Sequence, residues 1–327
     1  MTASADHPTR RILDEVEKAV VGKRPALTLL LAAVLAKGHV LLEDFPGLGK
    51  TLAARSLARA LGLEFTRAQF TPDLLPADLT GSFIYDQREG DFAFRPGPVF
   101  TGLLLADEIN RTPPKTQAAL LEAMQERQVT VEGRTFPLKA PFHVLATANP
   151  VEYEGTYPLP EAQLDRFLVR VSFGYPSAED EADVVMARLR RGREEVDIGP
   201  VLTADGLLKL QEQVEQVTVD DSIGRYAVAL TAATRTHPDA LMGSSPRGSL
   251  GLTLMARAVA FIDGRDYVVP EDIKSVAPSV LAHRITIRPE LWMTETSGEA
   301  VVEAVLSEVP TPRALETDRP GESPRTS

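Results

Sequence analysis

The feature that most constrains the fold is a glycine-rich turn that joins an apolar segment to a helical one. Residues 39–42 predict a buried strand, residues 43–49 contain the turn, and residues 51–61 have helical spacing. Backbone N–H groups that curl round such a turn meet the N-terminus of the helix, where an anion is stabilised. This order predicts a phosphate-binding loop in an α/β fold.

The side chains of this loop suit a nucleoside triphosphate. Lys50 would neutralise the outer phosphates, and the hydroxyl of Thr51 would bind Mg²⁺. The other expected contacts come from the residues around them, which are Pro46, Gly47, Leu48, Gly49 and Leu52. The alternative is a glycine-rich helix start that carries an exposed lysine.

One residue departs from the consensus for such loops. Asp44 stands where the consensus has glycine. That position often adopts a conformation that glycine tolerates best, and a carboxylate near phosphates is unfavourable unless it points away. Asp is among the non-glycine residues that tolerate left-handed backbone, so the loop can still form.

A second apolar segment ends in two carboxylates. Residues 103–106 predict a central strand, and Asp107 and Glu108 follow it directly. In nucleotide hydrolases built on a phosphate loop, the first carboxylate holds Mg²⁺ through water and the second polarises the attacking water. Taken alone, such a pair is equally typical of a solvated turn. Downstream of the phosphate loop it indicates ATP hydrolysis, with Asp107 at the metal and Glu108 as a catalytic residue.

Three more polar residues are placed where they could serve a nucleotide site. Asn149 ends an apolar run and could orient the water, or it could be an ordinary turn residue before a proline. Arg166 could enter a neighbouring subunit's site and offset charge during phosphoryl transfer, or it could pair locally with Asp165. Arg247 begins a helix, where a cation opposes the helix dipole, so we expect another demand to place it there; a surface arginine is the alternative.

The alternation of strands and helices predicts two domains. Residues 10–175 predict an α/β domain with a mostly parallel sheet covered on both faces. Period-2 patterns round polar turns at 82–95 and 128–138 predict two inserted β-hairpins. From 176 to 309 the spacing is helical, which predicts an all-α domain. Its predicted helices cover 179–190, 203–217, 222–234, 247–261 and 270–281.

The two ends of the chain are polar. Residues 1–9 are predicted to be disordered, with Thr9 capping the first helix. The tail 310–327 is rich in Pro, Arg, Glu, Thr and Ser and is likewise predicted to be disordered.

Composition narrows the expected partners and compartment. A net charge of −11 disfavours a sequence-independent grip on nucleic-acid phosphates, so we expect protein partners and no nucleic acid. The chain has no cysteine, which excludes disulfides and thiolate metal ligands. The longest apolar run is well short of the roughly 20 residues that span a bilayer, and no signal-peptide pattern opens the chain. We therefore expect a cytoplasmic protein.

In their order along the chain, these motifs resemble the AAA+ superfamily of ATPases and, within it, the MoxR family. The resemblance covers about residues 13–281. It is carried by VGK at 21–23, LEDFPGLGKT at 42–51, DEINRTPPKTQ at 107–117, LLEAM at 120–124, ATANP at 146–150, GTYPLPEAQLDRF at 155–167 and SPR at 245–247.

This resemblance implies a P-loop NTPase fold and a role for each polar residue. The two hairpins match the helix-2 insert and the pre-sensor-1 insert of the sheet domain, and the all-α domain matches the lid. By the same resemblance Asn149 is sensor 1, Arg166 is the arginine finger and Arg247 is sensor 2. The residues that would flank adenine are Val20, Val21 and Gly22.

The resemblance also implies ATP and Mg²⁺ as cofactors. Family members form ring-shaped, usually hexameric, chaperone-like ATPases that remodel, activate or assemble client proteins, often with a von Willebrand factor A domain partner. Two other functions stay open on the residues alone. A nucleotide-gated scaffold with little turnover is disfavoured by the presence of Glu108, and a DNA-acting AAA+ protein is disfavoured by the net acidity.

Overall fold

A five-stranded sheet organises the first part of the chain. The computed structural model describes residues 7–150, 155–193, 195–294 and 296–312. Its strands are β1 (Val40–Glu43), β2 (Phe65–Gln69), β5 (Leu103–Asp107), β8 (His143–Ala148) and β9 (Val169–Val171). They lie in the order β2-β5-β8-β1-β9, and each neighbouring pair is parallel.

The two faces of the sheet contact separate apolar cores, because successive strand residues point in opposite directions. In β5, Leu103 and Leu105 contribute to one core and Leu104 and Ala106 to the other. The first core includes α1 (Pro8–Glu17), α2 (Arg24–Leu35) and α3 (Lys50–Ala60) and extends into the helices of the second part of the chain, and α5 (Pro114–Glu126) lies in the second core. Two short helices, α4 (Pro76–Thr80) and α6 (Glu161–Leu164), complete this sheet region. The predicted parallel sheet covered on both faces is confirmed.

The N-terminal helix begins earlier than the sequence predicts. α1 starts at Pro8 after the N-cap His7, because proline suits the first helical position. Thr9 is therefore inside the helix, fully buried, with its hydroxyl 2.6 Å from His7 Nδ1. The predicted cap at Thr9 is wrong, and the disordered segment predicted for 1–9 is too long at its C-terminal end. Residues 1–6 lie outside the described residues, as does most of the predicted tail, from 313 to 327.

Both predicted hairpins are present and contact each other. They are formed by β3 (Gly81–Asp86) with β4 (Asp91–Pro96) and by β6 (Gln128–Val131) with β7 (Arg134–Pro137). Phe94 of the first hairpin stacks on Phe136 of the second, with ring centroids 3.9 Å apart. Phe83 lies 6.2 Å from the same Phe136 ring.

The second part of the chain, from α7 onward, is mainly helical. Its helices are α7 (Ala178–Arg191), α8 (Ala204–Glu215), α9 (Asp221–Thr236), α10 (Pro246–Ile262), α11 (Pro270–Leu281) and α12 (Gly298–Glu308). The sequence did not predict α12 or a short antiparallel pair, β10 (Ala240–Met242) with β11 (Thr286–Ile287). The strands of that pair are too short for a period-2 pattern to show. Across the described residues, no helix is both long and apolar enough to cross a bilayer.

A buried arginine joins this helical region to the sheet region. The side chain of Arg284 is 3% exposed and its Nε donates to Asp165 Oδ1 at 2.9 Å. The same guanidinium donates to the carbonyls of Phe167, at 2.6 Å, and Leu168, at 3.2 Å. Burial lowers the pKa of Arg284, and the Asp165 carboxylate opposes that shift. The helical region is therefore fixed to the segment that leads into β9.

Two buried histidines of the sheet region and Gln211 of α8 form a second polar contact between the two parts of the chain. Val144 N–H donates to His39 Nδ1 at 3.0 Å, and Gln211 Nε2 lies 3.2 Å from His143 Nε2. The other ring nitrogens face the carbonyls of Met124 and Gly38, at 3.2 and 3.1 Å. Each ring thus accepts at one nitrogen and donates at the other, which is the pattern of a neutral imidazole. Burial lowers the pKa of His39 to about 3 and that of His143 to about 4.

Candidate functional site

The phosphate loop leaves an open concavity at the N-terminus of α3. Gly47 and Gly49 have φ values of 84° and 83°, which side-chain-bearing residues rarely adopt. A Cβ atom built at either glycine meets nothing within 4 Å, so the space beside the backbone is free. Gly49 is also the N-cap of α3. The loop therefore fits an anion that approaches the backbone N–H groups at the helix start.

The lysine of the loop lies over the loop's own backbone. Lys50 Nζ donates to the carbonyl oxygen of Asp44 at 2.6 Å. Burial is the largest influence on the pKa of Lys50 and lowers it, while the surrounding carboxylates of Asp44, Asp107 and Glu108 act in the opposite direction. The ammonium is thus positioned between the loop and the acidic pair, where a polyphosphate would replace its carbonyl partner.

Asp107 lies at the end of β5 and is held by two neighbouring strands. Thr147 Oγ1, from β8, donates to Asp107 Oδ1 at 2.6 Å. Arg67, from β2, donates to Asp107 Oδ2 through Nε at 2.9 Å and Nη2 at 2.6 Å. A carboxylate has about four lone-pair sites, so these three bonds leave capacity for a water that bridges to a metal ion. The donor set fits the predicted role of Asp107.

Glu108 follows in a left-handed conformation, with φ 60° and ψ 50°. Such backbone is costly for a residue other than glycine and is concentrated at functional sites. Its N–H donates to Thr147 Oγ1 at 2.8 Å, and Gln69 Nε2 donates to its Oε2 at 2.5 Å. Arg111 lies 3.2 Å from the same oxygen. The Glu108 carboxylate is therefore held by side chains from β2 and from the turn that follows β5.

The phosphate loop, the acidic pair and Asn149 line one cavity of about 380 Å³, which we call the phosphate cavity. Its lining residues are Pro46, Gly47, Gly49, Lys50, Thr51, Leu52, Asp107, Glu108, Thr147, Ala148 and Asn149. Leu48 and the segment 20–22, which were predicted to contact the nucleotide, do not line this cavity. The structure thus brings together the residues expected at the phosphates and leaves the expected adenine side apart.

The two arginines predicted to act at the nucleotide lie elsewhere. Arg166 and Arg247 line a second hollow of about 290 Å³, which we call the basic hollow. Its charged lining residues are Lys37, Arg127, Asp165, Arg166, Arg247 and Arg284. Five of these six side chains are cationic, so the basic hollow suits an anion, yet it contains no part of the phosphate loop.

Asp165 organises this hollow. Within the described part of the chain its carboxylate pairs with Arg284 at 2.9 Å and Arg247 at 3.8 Å, and it accepts from Ser245 Oγ at 3.0 Å. The alternative interpretation of Arg166 required a local pair with Asp165, and the structure gives that carboxylate to the helical region instead. Ser245 also caps α10 by accepting from Arg247 N–H at 3.1 Å.

Sequence reasoning missed four residues that shape these two sites. Thr147 connects the acidic pair to β8, Arg67 and Gln69 reach it from β2, and Arg284 anchors the basic hollow. Thr147 stands two residues before Asn149 at the end of an apolar strand, so its position could have predicted that it lies at the site. The other three lie in segments without a motif, and only the strand order and the contact between the regions bring them to the sites.

Comparison with known proteins agrees with this geometry. Residues 39–169 match the family model described as the ATPase family associated with various cellular activities (AAA), and residues 232–305 match the AAA lid domain. The Chaperone MoxR1 of Mycobacterium tuberculosis is 44% identical, over 98% of this chain and 87% of that protein. The chain belongs to the MoxR family of AAA+ ATPases.

Two further relatives resemble the chain over most of its length. The uncharacterized protein YeaC of Bacillus subtilis is 50% identical over 92% of this chain and 94% of its own length. A crystal structure of a putative ATPase from Cytophaga hutchinsonii superposes with a TM-score of 0.87 at 42% identity, covering 94% of this chain and 95% of that one. The MoxR fold described here, a parallel-sheet region followed by a helical lid, is thus also that of a solved relative.

Proposed function

We propose that this MoxR-family protein hydrolyses ATP in a ring oligomer and uses the turnover to remodel, activate or assemble client proteins. The observation that carries the proposal is the separation of the two sites. Lys50, Glu108 and Asn149 surround the phosphate cavity, whereas Arg166 and Arg247 line the basic hollow. From this hollow, the two arginines can offset charge in phosphoryl transfer only at the phosphate cavity of a neighbouring subunit.

Within one subunit, each residue of the phosphate cavity has a distinct task. Lys50 binds the outer phosphates once it leaves the Asp44 carbonyl, and Glu108 polarises the attacking water. Asn149 orients that water, and Thr147 holds the acidic pair in register. Thr51 and Asp107 would hold Mg²⁺, which supplies positive charge beside the outer phosphates. The residues proposed to flank adenine are Val20, Val21 and Gly22.

Between subunits, the basic hollow would face the neighbour's phosphate cavity. Arg166 acts there as the arginine finger and Arg247 as sensor 2, both from outside the site that they serve. A head-to-tail contact of this kind is heterologous, and repeated copies of it close into a ring. The expected ring is a hexamer, and the expected partners are a client protein and a von Willebrand factor A domain protein. The name of the Mycobacterium tuberculosis relative, a chaperone, supports protein remodelling as the output.

The proposal is tested by mixing two inactive variants. Arg166→Ala retains its own phosphate cavity and lacks the finger, whereas Glu108→Gln retains the finger and lacks the water-polarising carboxylate. In a random one-to-one ring, about a quarter of the interfaces join an intact cavity to an intact finger. Steady-state turnover of the mixture is therefore expected to recover to about a quarter of the parental rate, with assembly followed by mass photometry in ATP.

Two results would contradict this scheme. A mixture no faster than the mean of its two components rules out action of Arg166 in a neighbouring subunit. A parental rate as low as that of Glu108→Gln removes hydrolysis and leaves the nucleotide-gated scaffold. Arg225→Ala, which removes an exposed arginine of α9, is the matched control and is expected to retain the parental rate.

A further inference from the structure

Asp44, at the glycine position of the phosphate loop, has a side chain that lies outside the phosphate cavity. Its backbone does not adopt a positive φ, so glycine is not required there. The residue is 5% exposed and is not among those that line the phosphate cavity. Its N–H donates to the Ala148 carbonyl at 3.3 Å, which continues the pairing of β1 with β8. The carboxylate therefore points away from the phosphates.

The Asp44 carboxylate is bound by the segment that follows β9. Oδ1 accepts from Ser172 Oγ at 2.7 Å and from Gly174 N–H at 3.3 Å, and Oδ2 accepts from Phe173 N–H. Hydrogen bonds to an ionised acceptor are about twice as strong as those between neutral groups. Three donors from consecutive residues fix both the carboxylate and the segment 172–174.

The same residue contacts the catalytic lysine through its main chain. The Asp44 carbonyl accepts from Lys50 Nζ at 2.6 Å. Asp44 thus touches Lys50 on one side and, on the other, the connection from the sheet region to α7. Phe45, the next residue, stacks on Tyr175 of that connection at 5.9 Å.

The connection has a second attachment to the predicted adenine side. Lys23 Nζ donates to the carbonyls of Gly174 and Tyr175, at 3.0 and 2.9 Å. Residues 172–175 are therefore held from both ends of the expected nucleotide, by Asp44 beside the phosphates and by Lys23 beside the segment 20–22.

We infer that Asp44 is a positioning residue that couples occupancy of the phosphate loop to the connection between the sheet region and the helical lid. When a phosphate binds Lys50, the hydrogen bond from Lys50 to the Asp44 carbonyl is lost. The backbone at Asp44 is then free to shift, and the Asp44 carboxylate passes this shift to residues 172–174. The inference rests on the nucleotide site of the proposed function, although it needs nucleotide binding and not hydrolysis.

The test compares amide hydrogen exchange at 172–175 with and without ADP and Mg²⁺, with nucleotide binding followed by a fluorescent ADP analogue. In the parental chain ADP is expected to change exchange at Phe173 and Gly174 at least about threefold. Asp44→Gly restores the consensus and removes the carboxylate. It is expected to bind ADP within about threefold of the parental affinity while losing the ADP-dependent change. A merely structural role would raise basal exchange and leave that change in place.

Ser172→Ala removes one of the three donors and keeps the carboxylate, so it is expected to fold normally and reduce the ADP-dependent change about twofold. Ser307→Ala, a serine of α12 far from the loop, is the matched control with an unchanged response. The inference is overturned if Asp44→Gly retains the full ADP-dependent change, or if the parental chain binds ADP without any change at 172–175. If the chain binds ADP and shows the ADP-dependent change but does not turn over ATP, the proposed hydrolysis is overturned and the coupling through Asp44 is not.

Discussion

The phosphate cavity and the basic hollow differ in how the chain assembles them. The cavity is built from the ends of neighbouring parallel strands and from one short loop, and most of its residues adjoin a recognisable motif. The basic hollow gathers Lys37, Arg127, Arg166 and Arg247 from the sheet region and the helical region. The first site therefore depends on local backbone geometry, whereas the second exists only when the two regions are docked.

The two sites also differ in charge. The phosphate cavity is lined by Lys50 together with the carboxylates of Asp107 and Glu108. The basic hollow is lined by five cationic side chains and one carboxylate, Asp165, which pairs with Arg284 and Arg247. The charged residues that line the hollow therefore carry a net positive charge, which suits an anionic partner.

The largest expected effect concerns the cavity alone. Glu108→Gln keeps the shape and hydrogen bonding of the side chain but removes the carboxylate, so turnover is expected to fall about 10³-fold. ATP affinity, measured by calorimetry, is expected to change less than about threefold because the phosphate contacts remain. Glu303→Gln, which alters an exposed carboxylate of α12, serves as the control. If the Glu108 variant turns over ATP at the parental rate, Glu108 does not take part in hydrolysis.

The next effect tests whether the basic hollow depends on docking. Arg284→Ala removes the buried guanidinium that pairs with the half-buried Asp165 and donates to two carbonyls, and breaking a buried pair in this way costs about 3 kcal/mol of unfolding free energy. Urea unfolding would measure it. Arg284→Lys is not expected to restore stability, since an ammonium cannot reproduce the guanidinium geometry. A loss below about 0.5 kcal/mol would show that the joint is held by apolar packing.

A third effect concerns the two histidines between the sheet and α8. Their folded pKa values of about 3 and about 4 lie below the ordinary value of 6.5, so protons bind preferentially to the unfolded chain. The stability they contribute is complete above pH 6.5 and falls as the pH is lowered toward 4. At pH 5.5 the loss is expected to be about 1.4 kcal/mol for each histidine. Urea unfolding from pH 7.5 to 5 measures the slope. His143→Gln should reduce it by about a third, because burial also lowers the pKa of His283 well below 6.5. An unchanged slope would contradict the assignment.

The smallest effect separates function from stability in the basic hollow. The Arg247 side chain is 49% exposed, and its distance to Asp165 is 3.8 Å, so the pair contributes little to folding. Arg247→Ala is expected to lower turnover about tenfold while unfolding free energy changes by less than about 0.5 kcal/mol. Arg225→Ala provides the comparison on the exposed face of α9. If the Arg247 variant retains the parental rate, Arg247 is a surface arginine without a role in turnover, as the alternative interpretation holds.

Most of the fold was readable from apolar periodicity. Strands buried on both faces give continuous apolar runs, and the helices between them have a 3.6-residue rhythm, so the parallel sheet, both hairpins and five of the lid helices were predicted. The pair β10 and β11 was not, because two or three residues cannot display a period. The start of α1 was misplaced because Pro8 initiates the helix before Thr9 could cap it. The division of the chain at 175/176 stays a prediction.

The candidate site was predictable where chemistry and sequence adjacency coincide. Lys50, Thr51, Asp107 and Glu108 each lie in a motif whose spacing reflects phosphate or metal geometry. Arg67 and Thr147 were not predicted as partners of Asp107, since strand order decides which side chains meet at a sheet edge. The orientation of the Asp44 carboxylate was equally hidden, because its partners lie about 130 residues further along the chain.

The stacked rings of Phe94 and Phe136 have a mechanical consequence for the two hairpins. Their planes are 10° apart, and separating them would expose two aromatic faces to water. The hairpins leave the sheet region at different points of the chain, and moving one of them alone would break this contact. We therefore expect the two hairpins to move together, so that a displacement at the base of one is passed to the other.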